Sequence, residues 1–291
     1  MVKISIGIIT YNRPDNLEKC ILSIEKSINF AMKKGHEVMI SDLIVSDDGN
    51  RKGSIIQTFY KFNWKKIKGP QKGIGANRNN VIRNVSGDWC LMVDDDIELS
   101  EEYIYHSLTS LNKAEKKTIL TGVKYEDSRE KIPTQSNFWG YRKDKINSVK
   151  TVKGFLDQAS WIPITAASTC SFDESVNYGP SEMDFAYQLL FNGYKIEFDP
   201  SLIIFDNGAG NTSVPKKQLD IEASRIYYML RRYRYWEKST IMFCVFIVLE
   251  PLRLTIALVR RKKIEGLFLS IKSYAKGMSF FLTTRNSKTN T

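Results

Sequence analysis

The chain has 291 residues, of which 42% are hydrophobic, and a formal net charge of +11. This length and composition allow a large buried core and exclude a disordered, low-complexity protein. The charge is uneven, because residues 213–291 hold 16 Lys or Arg against 5 Asp or Glu while residues 1–212 are neutral. The asymmetry favours an anionic surface as the partner of the C-terminal region.

The cysteines and histidines exclude two common kinds of site. The four cysteines are scattered and form no Cys-x-x-Cys pair, and neither of the two histidines has neighbours typical of metal ligands. A zinc site or a Ser-His-Asp triad is therefore not expected. Reduced core cysteines fit a cytoplasmic protein. The chain runs directly into a strand pattern, so no signal peptide is expected at its start.

The first third of the chain alternates strand and helix patterns. Strands are predicted at 4–9, 42–48, 64–68 and 89–94, with helices between them at 14–35, 55–62 and 75–85. This order predicts a parallel sheet with right-handed crossovers.

The middle of the chain is less regular. The pattern predicts a helix at 100–117, a strand at 118–123, a long loop at 125–152, a strand pair or strand and turn at 161–172, a helix at 180–193, and short strands at 194–198 and 202–205. A loop as long as 125–152 is typical of a segment that covers a ligand.

The C-terminal region begins with a basic, aromatic helix at 216–238. Apolar runs follow at 241–249 and 254–259, and four basic residues close the segment at 260–263. A membrane span needs roughly 20 apolar residues, but Glu250, Pro251 and Arg253 interrupt this one. Charges at that depth are costly, so the pattern favours a segment lying at the membrane interface. The alternative is a soluble helical hairpin packed on the rest of the protein.

Four loops are expected at one edge of the sheet, where parallel strands end. They are 10–13, 47–49, 72–79 and 94–96. The last is a run of three aspartates, and Asp-x-Asp offers the hard oxygen ligands that Mg²⁺ or Mn²⁺ prefers. The glycine-rich third loop opens a helix whose N-terminus suits phosphate. Taken singly, each loop is also consistent with ordinary turn chemistry, and the aspartates with a solvated acidic loop.

Taken together, the motifs resemble the family 2 glycosyltransferases, inverting enzymes with the GT-A fold. The resemblance covers about 1–212 and is carried by 8–14, 45–49, 75–79, 91–96, 172–174 and 179–185. It implies an α/β fold with a mostly parallel, Rossmann-like sheet flanked by helices. The nucleotide-sugar half would be about 1–97 and the acceptor half about 98–212. A basic helical region, 213–291, would follow as a membrane-associated appendage.

The resemblance also implies site residues. The nucleotide-sugar donor would be held by Thr10, Tyr11, Asn12, Arg13, Asp47, Asp48, Gly75, Arg78, Asp94 and Asp95. Mn²⁺ or Mg²⁺ would bind Asp94 and Asp96, with Asp206 standing where the family often has a histidine.

The expected general base is a carboxylate in the run at 179–185. Glu182 falls where the family has its catalytic aspartate, and Ser181 replaces the preceding glutamate. Asp184 is the rival for the same role. Glu182 is alternatively a favourable acid in the first turn of a helix. Attack by an acceptor hydroxyl needs a base within hydrogen-bond reach and no enzyme nucleophile.

The expected function is metal-dependent, inverting transfer of a sugar from a UDP-sugar, or next a dTDP-sugar, to a hydroxyl of a glycan acceptor. The acceptor would be isoprenoid-lipid-linked, in surface polysaccharide synthesis, and the enzyme peripheral at the inner face of the cell membrane. One alternative is a nucleic-acid-binding protein that uses the basic aromatic helix. Another is a catalytically silent relative that docks on membranes.

Overall fold

The computed structural model describes residues 2–49, 62–133, 135–141, 151–176, 179–207 and 214–288. Within them, ten strands join one sheet: β1 (Lys3–Thr10), β2 (Met39–Asp47), β3 (Lys65–Lys68), β4 (Trp89–Asp94), β5 (Ile97–Leu99), β6 (Thr118–Glu126), β7 (Arg129–Lys131), β8 (Thr151–Val152), β9 (Ala159–Pro163) and β10 (Lys195–Asp206). The α-helices are α1 (Pro14–Lys33), α2 (Ile74–Arg83), α3 (Tyr103–Leu111), α4 (Ser181–Phe191), α5 (Val214–Arg231) and α6 (Thr240–Lys288). The helix expected at 55–62 falls almost wholly outside the described residues.

The sheet has the order β3-β2-β1-β4-β9-β6-β10-β5, with β7 beside β6 and β8 beside β10. The four strands from β3 to β4 are parallel, as the alternating pattern predicts. The other half is mixed, because β9 runs antiparallel to both β4 and β6. The carboxyl ends of β1, β2 and β4 therefore open at one edge, where the predicted loops follow them.

Several elements of the middle region differ from the expectation. A short strand, β5, follows the aspartate run directly and pairs with β10, so the helix starts only at Tyr103. Two strands, β7 and β8, lie in the expected loop. Of the two alternatives for 161–172, the structure has one strand, β9, followed by a 3₁₀ helix (Ile164–Ser168), and it has no strand pair among these described residues. β10 is one strand across Pro200, because a register shift between Phe198 and Ile203 accommodates the proline.

Helices cover both faces of the sheet. Ile4, Ile6 and Ile8 of β1 belong to the core shared with α1 and α3, whereas Ile9 belongs to the core shared with α2 and α4. This division follows the two-residue period of a strand. Gly7 allows α2 to lie directly on β1, since a Cβ atom there would be 2.0 Å from a methyl carbon of Val81. The close contact brings the glycine-rich N-terminus of α2 beside the end of β1.

The C-terminal region is a helical hairpin held against α5. A π-helical turn (Arg232–Trp236) follows α5, and α6 reverses direction at Lys263, whose φ is 52°. The two arms, 240–262 and 264–288, run antiparallel: the Tyr274 hydroxyl donates to the Ile247 carbonyl oxygen at 2.9 Å, and Thr255 meets Ser270 at 2.9 Å. The hairpin shape matches the packing expected in the alternative to an interfacial segment, and it is compatible both with a soluble hairpin and with one that lies on a membrane.

The hairpin turns much of its apolar surface outward. Phe246, Leu254 and Phe281 are buried against aromatic and aliphatic residues of α5. Its exposed large hydrophobic side chains are Ile241, Met242, Val245, Val248, Leu249, Leu252, Ile256, Val259, Ile264, Leu267, Phe268, Ile271 and Leu282. By length and composition alone, the stretch Thr240–Thr284 is apolar enough to cross a membrane, which is weak evidence for membrane contact.

Candidate active site

A cavity of about 540 Å³ opens at the carboxyl ends of β1 and β4 and the N-terminus of α2. The cavity is lined by residues of all four predicted loops: Thr10, Tyr11 and Arg13, Asp48, Lys72 and Gly73, and Asp94 and Asp95. Tyr11 is 61% exposed, so one aromatic ring stands at the mouth of the cavity. We refer to this space as the donor cavity.

The aspartate run is tied to the first loop. The Thr10 hydroxyl donates to Asp95 at 2.6 Å, and the Arg13 guanidinium bridges Asp95 at 3.2 Å and Asp96 at 2.9 Å. Asp95 is almost wholly buried, and this burial raises the pKa of its carboxyl to about 6, against the hydrogen bond from Thr10 and the charge of Arg13. The geometry brings together Thr10, Arg13, Asp95 and Asp96, as the sequence predicts.

The oxygen atoms beside Arg13 suit a hard cation. Among the described residues, one carboxylate oxygen of Asp95, one of Asp96 and the side-chain oxygen of Asn12 are buried and accept no hydrogen bond, although this oxygen of Asp95 lies 3.2 Å from the Arg13 guanidinium. Carboxylate and amide oxygens are ligands that Mg²⁺ or Mn²⁺ takes. No cluster of three His, Cys, Asp or Glu that could hold a metal occurs in the described part of the chain. Mg²⁺ commonly binds through one or two carboxylates plus substrate phosphates, so the residues fit such an ion together with a diphosphate.

Asp94 lies on the far side of the run, beside a buried arginine. Arg78 is 2% exposed and pairs with Asp94 at 3.0 Å and with Asp157 at 2.6 Å. Burial raises the pKa of Asp94 to about 7, although the charge of Arg78 opposes the rise. Arg78 is expected to help hold the donor, and in this structure its guanidinium lies between the carboxylates of Asp94 and Asp157.

Asp206 lies at the end of β10, close to the aspartate run. The backbone N–H of the next residue, Asn207, donates to the Asp96 carbonyl oxygen at 3.2 Å. The Asp206 carboxylate accepts a hydrogen bond from the buried Lys124 ammonium at 2.6 Å. Each predicted metal ligand therefore has its own cationic partner, and for Asp206 that partner is a lysine that the sequence reading missed.

Three other predicted donor residues have local partners. Asp48 lines the donor cavity and accepts the backbone N–H of Gln71. Asp47 instead pairs with Lys66 at 2.9 Å and accepts the Gly49 N–H at 2.9 Å. Gly75 packs away from the cavity, because a Cβ atom there would lie 2.5 Å from the Asp173 carbonyl oxygen. The glycine that lines the donor cavity is Gly73, whose φ is 96°.

The two candidate bases have different surroundings. Glu182 is 8% exposed and lines a second cavity of about 480 Å³. Asp184 is 0% exposed and accepts hydrogen bonds from Arg231 at 2.8 Å, Trp236 at 3.0 Å and Gln188 at 2.8 Å. The π-helical turn brings Trp236 to this carboxylate. Asp184 therefore joins α4 to the C-terminal region.

The second cavity adjoins the donor cavity. The two share Ile74 and Asp94, so Glu182 lines a cavity adjacent to the place where the donor is expected. Asp157, Tyr141 and residues of α5 also line this space. No sequence pattern indicated these residues, because they come from a loop and from the region outside the resemblance. We refer to it as the acceptor cavity.

The basic aromatic helix does not present the surface expected of a nucleic-acid-binding helix. Tyr227, Tyr228 and Tyr233 are buried, and Arg231 pairs with Asp184 and Asp173 at 2.8 Å each. These side chains attach α5 to the catalytic half of the molecule.

The mixed sheet flanked by helices, with a cavity at the carboxyl ends of β1 and β4, is the architecture of the GT-A glycosyltransferase fold class. The profile of glycosyl transferase family 2 matches residues 5–176, and the chain belongs to that family.

Solved structures with this fold are distantly related. S. aureus TarS superposes with a TM-score of 0.55 at 14% identity, covering 98% of this chain and 55% of that one. GalNAc-T7, solved with UDP, GalNAc and Mn²⁺, gives 0.61 at 10% identity, covering 94% and 55%. TarS 1-349 gives 0.52 at 13%, covering 99% and 91%. The chain spans about half the length of the first two. No curated protein matches it.

Proposed function

We propose that this protein transfers a sugar from a nucleotide-diphosphate sugar to a hydroxyl of a glycan acceptor, with inversion at the anomeric carbon. A UDP-sugar is the favoured donor, and a dTDP-sugar is the next. The observation that carries the proposal is the junction of the two cavities at Asp94 and Ile74. A donor in one and an acceptor in the other would meet there, with Glu182 on the acceptor side. Family membership and the GT-A fold support the reaction class.

In this proposal the donor cavity binds the nucleotide through its four loops. Tyr11 offers an aromatic ring to the base, and Asp48 holds the turn at 69–71 that lines the cavity. The N–H groups at the start of α2 point toward the diphosphate, where a helix N-terminus favours negative charge. Asp96 would hold Mn²⁺ or Mg²⁺ together with Asp95, in place of the predicted ligands Asp94 and Asp206, which are paired with Arg78 and Lys124. The ion would neutralise charge on the leaving diphosphate.

Glu182 serves as the general base in this proposal. It takes the proton from the acceptor hydroxyl as the oxygen attacks the anomeric carbon from the face opposite the diphosphate. The bond to the diphosphate breaks as the new glycosidic bond forms, so no enzyme nucleophile takes part. Asp184 cannot take this role without leaving Arg231 and Trp236, and we assign it to anchoring the C-terminal region.

Thermal unfolding with nucleotides tests the donor assignment. UDP, dTDP, GDP and ADP are added, each with and without Mn²⁺, to the wild type and to Asp96→Asn. A ligand at about 100 times its Kd stabilises the folded state by roughly 2.7 kcal/mol. We expect stabilisation by one nucleotide that depends on Mn²⁺ and is lost in Asp96→Asn but kept in the control Asp127→Asn, which alters an exposed turn. Lack of stabilisation by every nucleotide would contradict the proposal.

We further propose that the hairpin lies on the cytoplasmic face of the cell membrane and brings the enzyme to a lipid-linked acceptor. Its exposed apolar side chains lie beside four exposed cations, residues 260–263, at the reversal between the arms. Apolar contact plus basic residues is the combination that holds interfacial helices on anionic lipid. Glu250 and Arg253 interrupt the apolar run in sequence, but Glu250 is buried against Arg225 of α5, and Arg253 pairs with Glu250 and with the Tyr141 hydroxyl. These internal partners mean that the two charges do not oppose membrane contact.

A further inference from the structure

The acceptor cavity has two walls of different origin. One wall comes from α2, from the loop before β9 and from α4, and it includes Arg78, Asp157 and Glu182. The other comes from Tyr141 and from α5, which contributes Ile221, Glu222 and Arg225. The α5 part of the second wall lies outside the residues 5–176 that match the family profile.

The charges that line the acceptor cavity do not balance. Four carboxylates, of Asp94, Asp157, Glu182 and Glu222, stand against two guanidiniums, of Arg78 and Arg225. Both guanidiniums are engaged with protein groups. Arg78 is held by Asp94 and Asp157. The cavity thus offers a ligand an excess of negative charge.

Arg225 is fixed from three sides. It donates to Glu222 at 2.8 Å, to the Trp139 carbonyl oxygen, and to Glu250 of the hairpin, whose carboxylate is 0% exposed. Glu250 also holds Arg253 at 2.7 Å, and Arg253 donates to the Tyr141 hydroxyl at 3.0 Å. Turning Arg225 toward a ligand would leave Glu250 buried without that partner, which is costly. Arg225 is therefore not available to bind an anion.

Glu222 keeps capacity for a ligand. Its carboxylate accepts from Tyr141 at 3.0 Å and from Arg225 at 2.8 Å. An ionised carboxylate has about four acceptor positions, so it has room for ligand donors. Hydroxyl groups donate to carboxylates, whereas a phosphate or carboxylate of the ligand would meet like charge.

We propose that α5 and Tyr141 complete an acceptor subsite for an uncharged, hydroxyl-bearing sugar or polyol residue, and that Glu222 excludes anionic groups from it. The proposal rests on the proposed function, because it takes the 480 Å³ cavity beside Glu182 as the acceptor site. It makes Glu222 a specificity-determining residue. The C-terminal region then shapes the acceptor site as well as the outer surface of the protein.

Two probes that differ mainly in charge test the subsite: methyl α-glucoside and glucose 6-phosphate. Their binding to the full chain, saturated with UDP and Mg²⁺, is measured by saturation-transfer NMR. The variants are Glu222→Gln, which removes the charge, and Ile221→Trp, which fills the cavity from an exposed position. Asp220→Asn is the matched control, an exposed acid on the same helix whose partner is Lys276. UDP affinity is titrated separately in each protein.

We expect the wild type and Asp220→Asn to bind the glucoside and reject the phosphate. In Glu222→Gln the preference for the glucoside falls roughly tenfold, since one unit charge a few ångströms away is removed. Ile221→Trp loses glucoside binding. The subsite is overturned if the wild type binds neither probe or prefers glucose 6-phosphate. It is also overturned if Glu222→Gln and Asp220→Asn show the same preference between the two probes. Loss of UDP affinity in all proteins would instead overturn the donor assignment.

Discussion

The part of the chain that forms the sheet and its helices, residues 2–207, and the C-terminal region distribute charge in opposite ways. We call the first part the sheet half. In the sheet half, apolar side chains fill the interior and the acids gather at the strand ends, each beside a cation such as Arg13, Arg78 or Lys124. In the C-terminal region, Glu250 is 0% exposed while Ile241 is 75% exposed. The first half follows the usual arrangement of a soluble protein, and the second half partly inverts it.

This difference separates two uses of polar contacts. At the strand ends they line the donor cavity, where we propose that the nucleotide diphosphate binds. In the C-terminal region, the pairs of Asp184 with Arg231 and of Glu250 with Arg225 join α5 to α4 and to the hairpin. The apolar surface that remains outside is the surface that we propose contacts lipid. Four variants sharpen or break this comparison.

The largest effect is expected from Glu182→Gln. The amide keeps the size of the side chain but cannot accept the proton, so transfer should fall about 10²- to 10⁴-fold. UDP affinity should stay at the wild-type value, because Glu182 lines only the acceptor side. Steady-state transfer and UDP titration measure the two quantities. Full transfer by this variant would remove Glu182 from the mechanism.

Asp184→Asn should affect stability instead of chemistry. The change leaves Arg231 with a weaker partner at a site that is 0% exposed, and breaking a buried pair costs about 3 kcal/mol. Urea unfolding measures the loss, and the transfer rate of the folded protein should stay near that of the wild type. A stable Asp184→Asn protein without transfer would instead identify Asp184 as the base.

The triple variant Val248→Ser, Leu252→Ser, Ile256→Ser tests the outer face of the hairpin. These side chains are 62%, 61% and 53% exposed, so their loss should leave folding stability within about 0.5 kcal/mol. Binding to vesicles should weaken by about 3 kcal/mol, or roughly a hundredfold, because apolar contact with lipid is lost. Leu22→Ser, an exposed site on α1, is the control. Unchanged sedimentation with vesicles would refute membrane contact through this face.

The smallest effect at physiological salt is expected from Arg260→Gln, Arg261→Gln and Lys262→Gln together. Each exposed cation near an anionic membrane contributes about 1 kcal/mol at low salt, and salt screens much of this contribution. Binding to anionic vesicles should therefore weaken at low salt and change little on neutral vesicles. An equal loss on both kinds of vesicle would show that these cations act on the fold of the hairpin and not on lipid charge.

The sequence predicted the parallel part of the sheet because buried strands and amphipathic helices alternate there with clear periods. It did not predict the position of β5, or of β7 and β8 in the expected loop. β5 is three residues long and its pairing with β10 joins positions about a hundred residues apart, which local patterning does not encode. Two short strands were expected at 194–198 and 202–205, but they form the single strand β10. The register shift between Phe198 and Ile203 accommodates Pro200 within that strand.

The motifs predicted which loops line the donor cavity. They did not predict the ion pairs that the charged residues of these loops form. The partners of Arg78 and Asp206, namely Asp157 and Lys124, come from other strands and loops. Likewise, no local pattern marks Glu222 and Arg225 as cavity residues, because the fold of the C-terminal region brings α5 to Glu182. Site residues that depend on such distant contacts require the three-dimensional structure.

The most direct test of the central claim is the anomeric configuration of the sugar first released. The protein is incubated with an α-linked UDP-sugar and Mg²⁺, with water as the acceptor, and the reaction is followed by proton NMR. In-line attack across the junction of the two cavities predicts that the β-anomer appears first, before mutarotation, and that its formation slows in Glu182→Gln. Initial release of the α-anomer would contradict the account, because it would require a second displacement that this site is not built to perform.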